Sequence, residues 1–353
     1  MSSQDLITFG ILSTSEIVTK VLPALNQASK VIGVASRDPD RAQKFCDQHN
    51  CGKGMSHNEM ISNPKIDAVY LPLSTAHRNE FLAKSITHGK HIYSEKPMGG
   101  TVLELAKLIA DCESNRLQWM DGTMWYHSTR TKEIEKKIRA GDIGAVRHVT
   151  ASFSFKAPDE NWLNGGNGRT DKTREPMGLL GDCGWYPLSA ILWAYNWELP
   201  EKVMASHTTL NTVDTIIGLV GTLWFKGGRS AQFDTGVMMA HRSQCEIVGE
   251  KGNICVNDLV GGQGRSGNFS AYSVPFVGSD QYVQGDVTGK DTIVKVEPCD
   301  HVNELVNEFV ACVRNIKAGG KPDLEWPKRS LAVHTVMSAL FESSQNGGSI
   351  VSL

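Results

Sequence analysis

Residues 91–100 read His-Ile-Tyr-Ser-Glu-Lys-Pro-Met-Gly-Gly, and this stretch decides the fold. A short apolar strand ends on the tripeptide Glu95-Lys96-Pro97, and a helical pattern begins soon afterwards. In open α/β sheets, ligands bind at the carboxyl ends of the strands. A lysine at this edge can lie beside a cofactor and hold a proton-transferring group in its charged form. The alternative is a surface lysine before a turn, and the tripeptide alone leaves both open.

The segments around this stretch alternate strand and helix patterns over the first part of the chain. This alternation predicts a Rossmann-type domain, in which helices cover both faces of a doubly wound parallel sheet. After about residue 145, short strands separated by glycine turns predict an α+β domain with a large, mostly antiparallel open sheet. We therefore divide the chain into a dinucleotide-binding domain over 1–124 and a domain for substrate binding and oligomerisation over 125–353. We expect the helix at 328–343 to pack near the first domain.

Composition narrows the class of protein. The 353 residues carry a formal net charge of −2, which gives no reason to expect nucleic acid or an anionic membrane as partner. The longest apolar stretch, 216–225, is far shorter than the ~20 residues of a membrane span. The eight cysteines include no C-x-x-C pair, so no metal site is expected and reduced thiols are the default. The start of the chain lacks the pattern of a secretory signal, and we expect a cytoplasmic protein.

The strand–turn–helix pattern at 6–25 is the context of a dinucleotide fingerprint. Serines stand in the turn at two positions where the full fingerprint has glycine, and a serine hydroxyl can donate to a phosphate. An ordinary β-α turn remains the alternative. The residues expected to contact the cofactor here are Gly10, Ser13, Thr14, Ser15 and Ile17.

The residues at the end of the second predicted strand indicate which dinucleotide the chain binds. Chains that bind NAD usually place an acidic residue there for the ribose 2′-hydroxyl, whereas this chain has Ser36-Arg37. Arginine can bind a 2′-phosphate bidentately and stack on adenine, with the serine hydroxyl assisting. We infer a preference for NADP over NAD, with a solvent-facing arginine before a helix as the alternative.

These segments together resemble the glucose–fructose oxidoreductase/inositol dehydrogenase family (Gfo/Idh/MocA). The segment 88–97 is similar to the family's Gly-Lys-His…Glu-Lys-Pro signature. Segments 141–144 and 245–252 are similar to a family turn and a sheet hairpin. Segment 67–77 is similar to the strand and nicotinamide-side loop of the family, although serine and threonine replace its Pro-Asn. The resemblance implies that the cofactor is also bound by Leu73, Ser74, His77, Glu95, Lys96 and Pro97. A structural cap on the following helix is the alternative for His77.

Residues 178–187 read Gly-Leu-Leu-Gly-Asp-Cys-Gly-Trp-Tyr-Pro. This Asp-x-Gly-x-Tyr-Pro form is similar to the family branch that contains dihydrodiol dehydrogenase and NADP-dependent xylose dehydrogenase. If the segment is helical, Asp182 and Tyr186 share one face. A tyrosine hydroxyl, with an ordinary pKa of ~10, is a poor base at neutral pH, and a nearby lysine lowers that pKa. We predict Tyr186 as general acid/base, Lys96 as the cation that polarises it, and Asp182 as the group that orients the substrate or Lys96. A packing tyrosine and a helix N-cap are the alternatives for Tyr186 and Asp182.

The substrate contacts are harder to predict, because the Tyr126-His127 region departs from the family pattern. Trp125 and His127 are candidates to line the pocket, although a core aromatic is the alternative for Trp125. The Gly-rich segment 161–174 is predicted as a mobile loop, in which Trp162, Arg174 and Arg169 either cover the substrate or face solvent.

The combined prediction is an NADP-dependent oxidoreductase that transfers a hydride between the nicotinamide and a sugar, polyol or cyclic trans-diol. Hydride transfer to a nicotinamide needs no metal. A non-catalytic NAD(P)-binding sensor of the same fold is the alternative, favoured mildly by the serines in the phosphate turn. An NAD-dependent glycosidase, which the family also resembles, fits the Asp-x-Gly-x-Tyr-Pro form poorly. A sheet with one face uncovered by helices predicts a homodimer formed through the second domain.

Overall fold

The computed structural model describes residues 6–260 and 280–353. These residues form two compact units. The first unit contains the described residues up to Thr123 together with Val302–Leu331. The second contains the described residues of Met124–His301 and Ala332–Leu353. The sequence pattern predicts one domain over 125–353, whereas Val302–Leu331 cluster with the first unit.

The first unit is built on a six-stranded sheet in which every strand pair is parallel. Its spatial order is 3-2-1-4-5-6, the order of the dinucleotide-binding doubly wound fold. The predicted Rossmann fold is therefore confirmed. The strands are β1 (Thr8–Ile11), β2 (Lys30–Ala35), β3 (Lys53–Met55), β4 (Ala68–Leu71), β5 (His91–Ser94) and β6 (Trp119–Asp121).

The helices between these strands start where the sequence places caps. Asp38, before the proline that opens the second helix, accepts hydrogen bonds from the N–H groups of Asp40 and Arg41. Ser56 and Thr101 each form a capping box with a glutamate three residues later. The helices are α1 (Glu16–Ala28), α2 (Pro39–His49), α3 (His57–Ser62), α4 (Thr75–Thr87) and α5 (Val102–Ser114).

The second unit contains a nine-stranded sheet over the described residues, in the order 14-13-12-11-7-10-9-8-15. All neighbouring strands are antiparallel except the seventh and tenth, which are parallel. This confirms the mostly antiparallel second sheet. The strands are β7 (Val146–Lys156), β8 (Lys202–Leu210), β9 (Ile216–Phe225), β10 (Arg229–Gly236), β11 (Met238–Gly249), β12 (Gly252–Val256), β13 (Gln281–Asp286), β14 (Asp291–Lys295) and β15 (Val351–Ser352).

One face of this sheet is covered by helices of its own unit. Its middle strands place buried residues on that face at alternate positions, among them Ala151, Phe233 and Cys245 in one row across β7, β10 and β11. The helix Trp185–Ala194 is buried along its whole length and lies against these three strands. The helices of this part of the chain are α6 (Thr129–Ala140), α7 (Gly178–Asp182) and α8 (Trp185–Ala194).

Two C-terminal helices, α9 (His301–Lys317) and α10 (Glu325–Gln345), complete the described fold. In the first unit, the ring of Phe309 lies 5.6 Å from that of Phe9. The residues of α10 up to Leu331 belong to the first unit, and those from Ala332 belong to the second. Leu340 packs where Gly221 leaves space on the second sheet, and Ser343 Oγ accepts the N–H of Ala205 at 2.9 Å. No helix in residues 6–260 and 280–353 is both long and apolar enough to cross a membrane.

Candidate active site

The turn between β1 and α1 is closed by its own serines. Ser13 Oγ accepts the N–H of Ser15 at 3.1 Å, and Ser15 Oγ donates to the carbonyl of Pro72 at 3.2 Å. The hydroxyl of Ser15 is therefore engaged with the chain after β4. A Cβ added at Gly10 would lie 2.3 Å from Met60 Sδ, so the glycine allows Met60 to pack closely against β1. The predicted residues Thr14 and Ile17 lie in the same turn and at the start of α1.

Ser36 and Arg37 follow β2, and Arg37 is exposed. Ser36 Oγ accepts the N–H of Asp38 at 3.3 Å, which bends the chain away from the strand. His57 lies close to Arg37 and hydrogen-bonds to the carbonyl of Leu12. Burial, followed by the positive charge of Arg37, lowers the pKa of His57. The imidazole is therefore neutral at neutral pH, and Arg37 is the cation of this group.

The loop after β4 is tied to the loop after β5 by Arg78, a buried residue in the first turn of α4. Its guanidinium donates to the carbonyl of Leu73 at 2.5 Å and to the carbonyl of Pro97. Ser74 Oγ and His77 Nδ1 are joined by a hydrogen bond of 2.9 Å at the start of the same helix. This bond joins two side chains, and the side chain of Ser74 caps no backbone N–H of α4.

Glu95, Lys96 and Pro97 follow the end of β5, and their side chains have different environments. The carboxylate of Glu95 accepts the hydroxyl proton of Tyr70 at 2.6 Å, and burial raises the pKa of Glu95. Glu95 Oε1 and Oε2 would each lie 2.9 Å from a Cβ added at Gly122, so glycine makes room for the carboxylate. Lys96 is half-buried and joined to Pro97 by a cis peptide bond.

Apart from Gly10, which lies within β1, the predicted cofactor residues of the first unit come after the ends of β1, β2, β4 and β5. Because the strands are parallel, these four ends lie along one edge of the sheet. That edge combines the start of α1 and the exposed guanidinium of Arg37. The N–H groups at a helix start and a guanidinium are suitable partners for the phosphates of a dinucleotide. The residues present therefore fit such a cofactor.

In the second unit, Asp182 and Tyr186 lie on α7 and α8. The Cys183-Gly184 link between these helices keeps right-handed helical angles, so the two residues are one turn apart, as predicted. Tyr186 is 9% exposed and packs against the ring of Phe153, with the centroids 5.0 Å apart. Asp182 Oδ2 lies 2.8 Å from Arg169 Nε.

The predicted substrate residues have different environments. Trp125 and His127 are 0% and 1% exposed, and Trp125 Nε1 donates to Ser189 Oγ at 3.3 Å. This burial supports the core alternative for Trp125 and offers neither side chain an open surface. Trp162 is half-buried against Phe155, and Arg174 is exposed.

Three side chains of these sites were missed or left undecided by the sequence analysis: Arg78, His57 and Arg169. None belongs to a motif, and each acquires its role through a partner distant in the chain. The capping box at Ser56 marks the start of α3 but not the function of the histidine that follows it. In the part of the chain that the structure describes, no group of three or more His, Cys, Asp or Glu residues could hold a metal ion.

Comparison with known proteins relates both units to one family. Residues 7–123 match the model of an oxidoreductase family with an NAD-binding Rossmann fold. Residues 131–255 match the GFO/IDH/MocA C-terminal domain. Together these two segments span most of the chain.

Individual relatives agree with this match. The chain is 26% identical to D-xylose 1-dehydrogenase (NADP(+)) 2 of Haloferax volcanii, over 97% of this chain and 98% of that protein. It is 28% identical to trans-1,2-dihydrobenzene-1,2-diol dehydrogenase of Xenopus tropicalis, over 67% and 69%. A 3-ketoreductase of Actinomadura kijaniata, solved with NADP and TDP-benzene, has a TM-score of 0.78 at 21% identity, over 96% and 98%. At that identity the last comparison shows the shared fold alone.

The buried carboxyl of Glu95 predicts a pH-dependent stability. Burial favours its protonated form in the fold, so the stabilisation is present below the ordinary pKa of 4.5 and is lost as pH rises through the raised pKa. Glu95→Gln imitates the protonated form. We expect the Tm of Glu95→Gln, relative to that of the unchanged protein, to rise between about pH 4 and 7. Each kcal/mol of difference in unfolding free energy should correspond to roughly 2–4 °C.

Glu80→Gln is the control for this measurement, because Glu80 is exposed and paired with Lys84 Nζ at 2.6 Å. The pKa of Glu80 is lowered by that lysine, so its effect has the opposite sign and is small. A Tm difference for Glu95→Gln that stays constant with pH in thermal melts would contradict the titration of Glu95.

Proposed function

We propose that this chain is an NADP-dependent dehydrogenase or reductase of a sugar, a polyol or a cyclic trans-diol. The chain belongs to the Gfo/Idh/MocA family of oxidoreductases. The observation that supports this most is the alignment of the predicted cofactor residues along one edge of the parallel sheet. The presence of Asp182 and Tyr186 one turn apart in the second unit supplies the proton-transfer groups that a dehydrogenase needs.

The proposed choice of NADP rests on Arg37. An acidic residue at the end of β2 would repel a 2′-phosphate, whereas this position holds an exposed arginine beside Ser36. The neighbouring His57 is neutral at neutral pH, so Arg37 supplies the positive charge at this position. The NADP-dependent xylose dehydrogenase of Haloferax volcanii is consistent with this choice.

The proposed chemistry assigns the proton to Tyr186. When bound, the nicotinamide supplies the hydride acceptor or donor. In the oxidative direction the substrate C–H bond breaks with hydride transfer, and the hydroxyl proton of the substrate passes to the phenolate of Tyr186. Lys96 keeps its proposed role as the cation that favours the phenolate, and Asp182 orients the reacting hydroxyl. In the reductive direction Tyr186 returns the proton to the carbonyl oxygen.

We also propose a homodimer formed through the second sheet, in the cytoplasm. The face opposite α8 carries the alternate residues of the middle strands, most of them polar. One row across β9, β10, β7 and β11 consists of Val220, Asp234, Ser152 and Gln244. Arg242 is paired with Asp234 and hydrogen-bonded to Ser154 on this face. A flat face with internally paired charges can be covered by a second copy of the same face.

The test of the function is nicotinamide absorbance with NADP and with NAD, across aldoses, inositols, a trans-dihydrodiol and a nucleotide-linked 3-ketosugar. We expect one substrate class to be turned over, with NADP well above NAD. NADPH binding by fluorescence without turnover of any substrate would favour the non-catalytic sensor.

Arg37→Ala tests the cofactor assignment. Loss of charge-assisted hydrogen bonds to the 2′-phosphate should raise KM for NADP roughly 10–100-fold and leave KM for NAD nearly unchanged. Lys44→Ala, an exposed cation on α2, is the matched control. If Arg37→Ala raised KM for NADP and KM for NAD by the same factor, Arg37 would not bind the 2′-phosphate.

Tyr186→Phe tests the proton path. We expect kcat to fall roughly 10²–10⁴-fold, while NADPH binding by fluorescence is retained. Tyr195→Phe is the control, because the Tyr195 hydroxyl donates to the carbonyl of Ser230 at 2.7 Å and has a structural partner. Full turnover by Tyr186→Phe would remove Tyr186 from the proton path.

Light scattering after size exclusion tests the proposed dimer. The expected mass is twice that of the chain, and Val220→Glu should lower it because Val220 is 40% exposed on the proposed interface. Val287→Glu, at a position 76% exposed between β13 and β14, is the control. A monomer at all concentrations would refute the dimer.

A further inference from the structure

Arg169 pairs with the carboxylate next to the proposed proton-transfer group. Its Nε lies 2.8 Å from Asp182 Oδ2, and the exposed fractions of the two side chains are 52% for Arg169 and 16% for Asp182. The negative charge of Asp182 raises the pKa of Arg169 more than desolvation lowers it, and Cys183 and Tyr186 act in the same direction as Asp182 when they are ionised. The guanidinium therefore interacts electrostatically with both of the acidic groups assigned to catalysis in this unit.

The backbone around Arg169 is anchored. Asn167 Oδ1 accepts the N–H of Arg169 at 3.0 Å, and the next residue, Thr170, is fully buried. The side-chain amide of Asn211 donates to the carbonyls of Thr170 and Leu163, each at 2.9 Å. Arg169 is thus presented by a segment that is bonded to the β8–β9 connection. An anchored arginine loses less conformational freedom when it forms an ion pair than one on a free loop.

The negative charge of Asp182 opposes the effect of Lys96, the cation proposed above to favour the phenolate of Tyr186. A carboxylate one turn from a tyrosine disfavours the phenolate, because two negative charges then lie close together. Arg169 offsets that charge and also fixes the position of the carboxylate through a charge-assisted hydrogen bond.

We propose that Arg169 is a positioning residue, which holds Asp182 in place and neutralises its charge beside Tyr186 so that Tyr186 can exchange a proton near neutral pH. This inference rests on the proposed function, since it concerns the acid/base assigned there.

Other charged groups of the second unit lie around this cluster. Arg174 lies near Gly168, since its Nη1 would be 3.6 Å from a Cβ added there. His241 packs against Phe153, on which Tyr186 rests. Lys172 Nζ lies 3.7 Å from Asp214 Oδ2. The ion pair between Arg169 Nε and Asp182 Oδ2 at 2.8 Å identifies Arg169 as the residue to vary.

The experiment compares Arg169→Gln, Arg169→Lys and the control Lys172→Gln in the full-length protein with NADP and the best substrate. We expect Arg169→Gln to lower kcat/KM roughly 10–100-fold at neutral pH and to move the rising limb of the oxidative pH profile up by about one unit. Arg169→Lys should restore part of both effects, and Lys172→Gln should match the unchanged protein. A uniform loss at every pH, with the limb unmoved, would show a purely structural role and overturn the proposal.

A second measurement does not depend on turnover. The phenolate absorbance of Tyr186 is obtained by titrating the protein and subtracting the same titration of Tyr186→Phe. We expect its midpoint to move to higher pH in Arg169→Gln by about one unit. An unmoved midpoint refutes the role of Arg169 even if the enzyme is active. A moved midpoint in a protein that turns over no substrate would support the electrostatic role while the proposed function fails.

Discussion

The parallel pairing of β1 with both β2 and β4 is the constraint on which the candidate cofactor site depends. Phe9 of β1 pairs with Val31 of β2 on one side and with Ala68 of β4 on the other. The strands β2 and β3 therefore lie on one side of β1, and β4 to β6 lie on the other. Parallel strands end at the same edge, and the crevice where the strand order reverses is the usual ligand site of such folds. Residues distant in the chain, such as Arg37 and Lys96, consequently follow the same edge.

The loops at that edge are held by buried polar groups rather than by their own sequence. Arg78 connects the carbonyls of Leu73 and Pro97, and Tyr70 binds the carboxylate of Glu95. Buried polar groups of this kind are costly when unpaired, so each partner stabilises the position of the other. The conformation of the Glu-Lys-Pro segment is therefore determined by the packing beneath it.

The second unit positions its acid/base group by the same kind of constraint. Strand alternation places Phe153 on the covered face of the sheet, where Tyr186 packs against it. A shift of one residue in the register of β7 would turn Phe153 to the opposite face. The segment that presents Arg169 is fixed by Asn211 at the end of β8. Two hydrogen bonds from Asn211 thus connect the Gly-rich segment to the β8–β9 connection.

The sequence determined the two-domain architecture, the parallel sheet and the helix starts, because alternation of strand and helix patterns and capping residues such as Asp38 are local signals. It also indicated the cofactor edge and the one-turn spacing of Asp182 and Tyr186. It missed the edge strand β3, whose three residues Lys53–Met55 form no apolar run. The tertiary structure alone decided which side chains support the sites. Arg78, His57 and Arg169 act on partners that no local pattern specifies, since a hydrogen bond or an ion pair between distant residues leaves no periodic trace in one sequence.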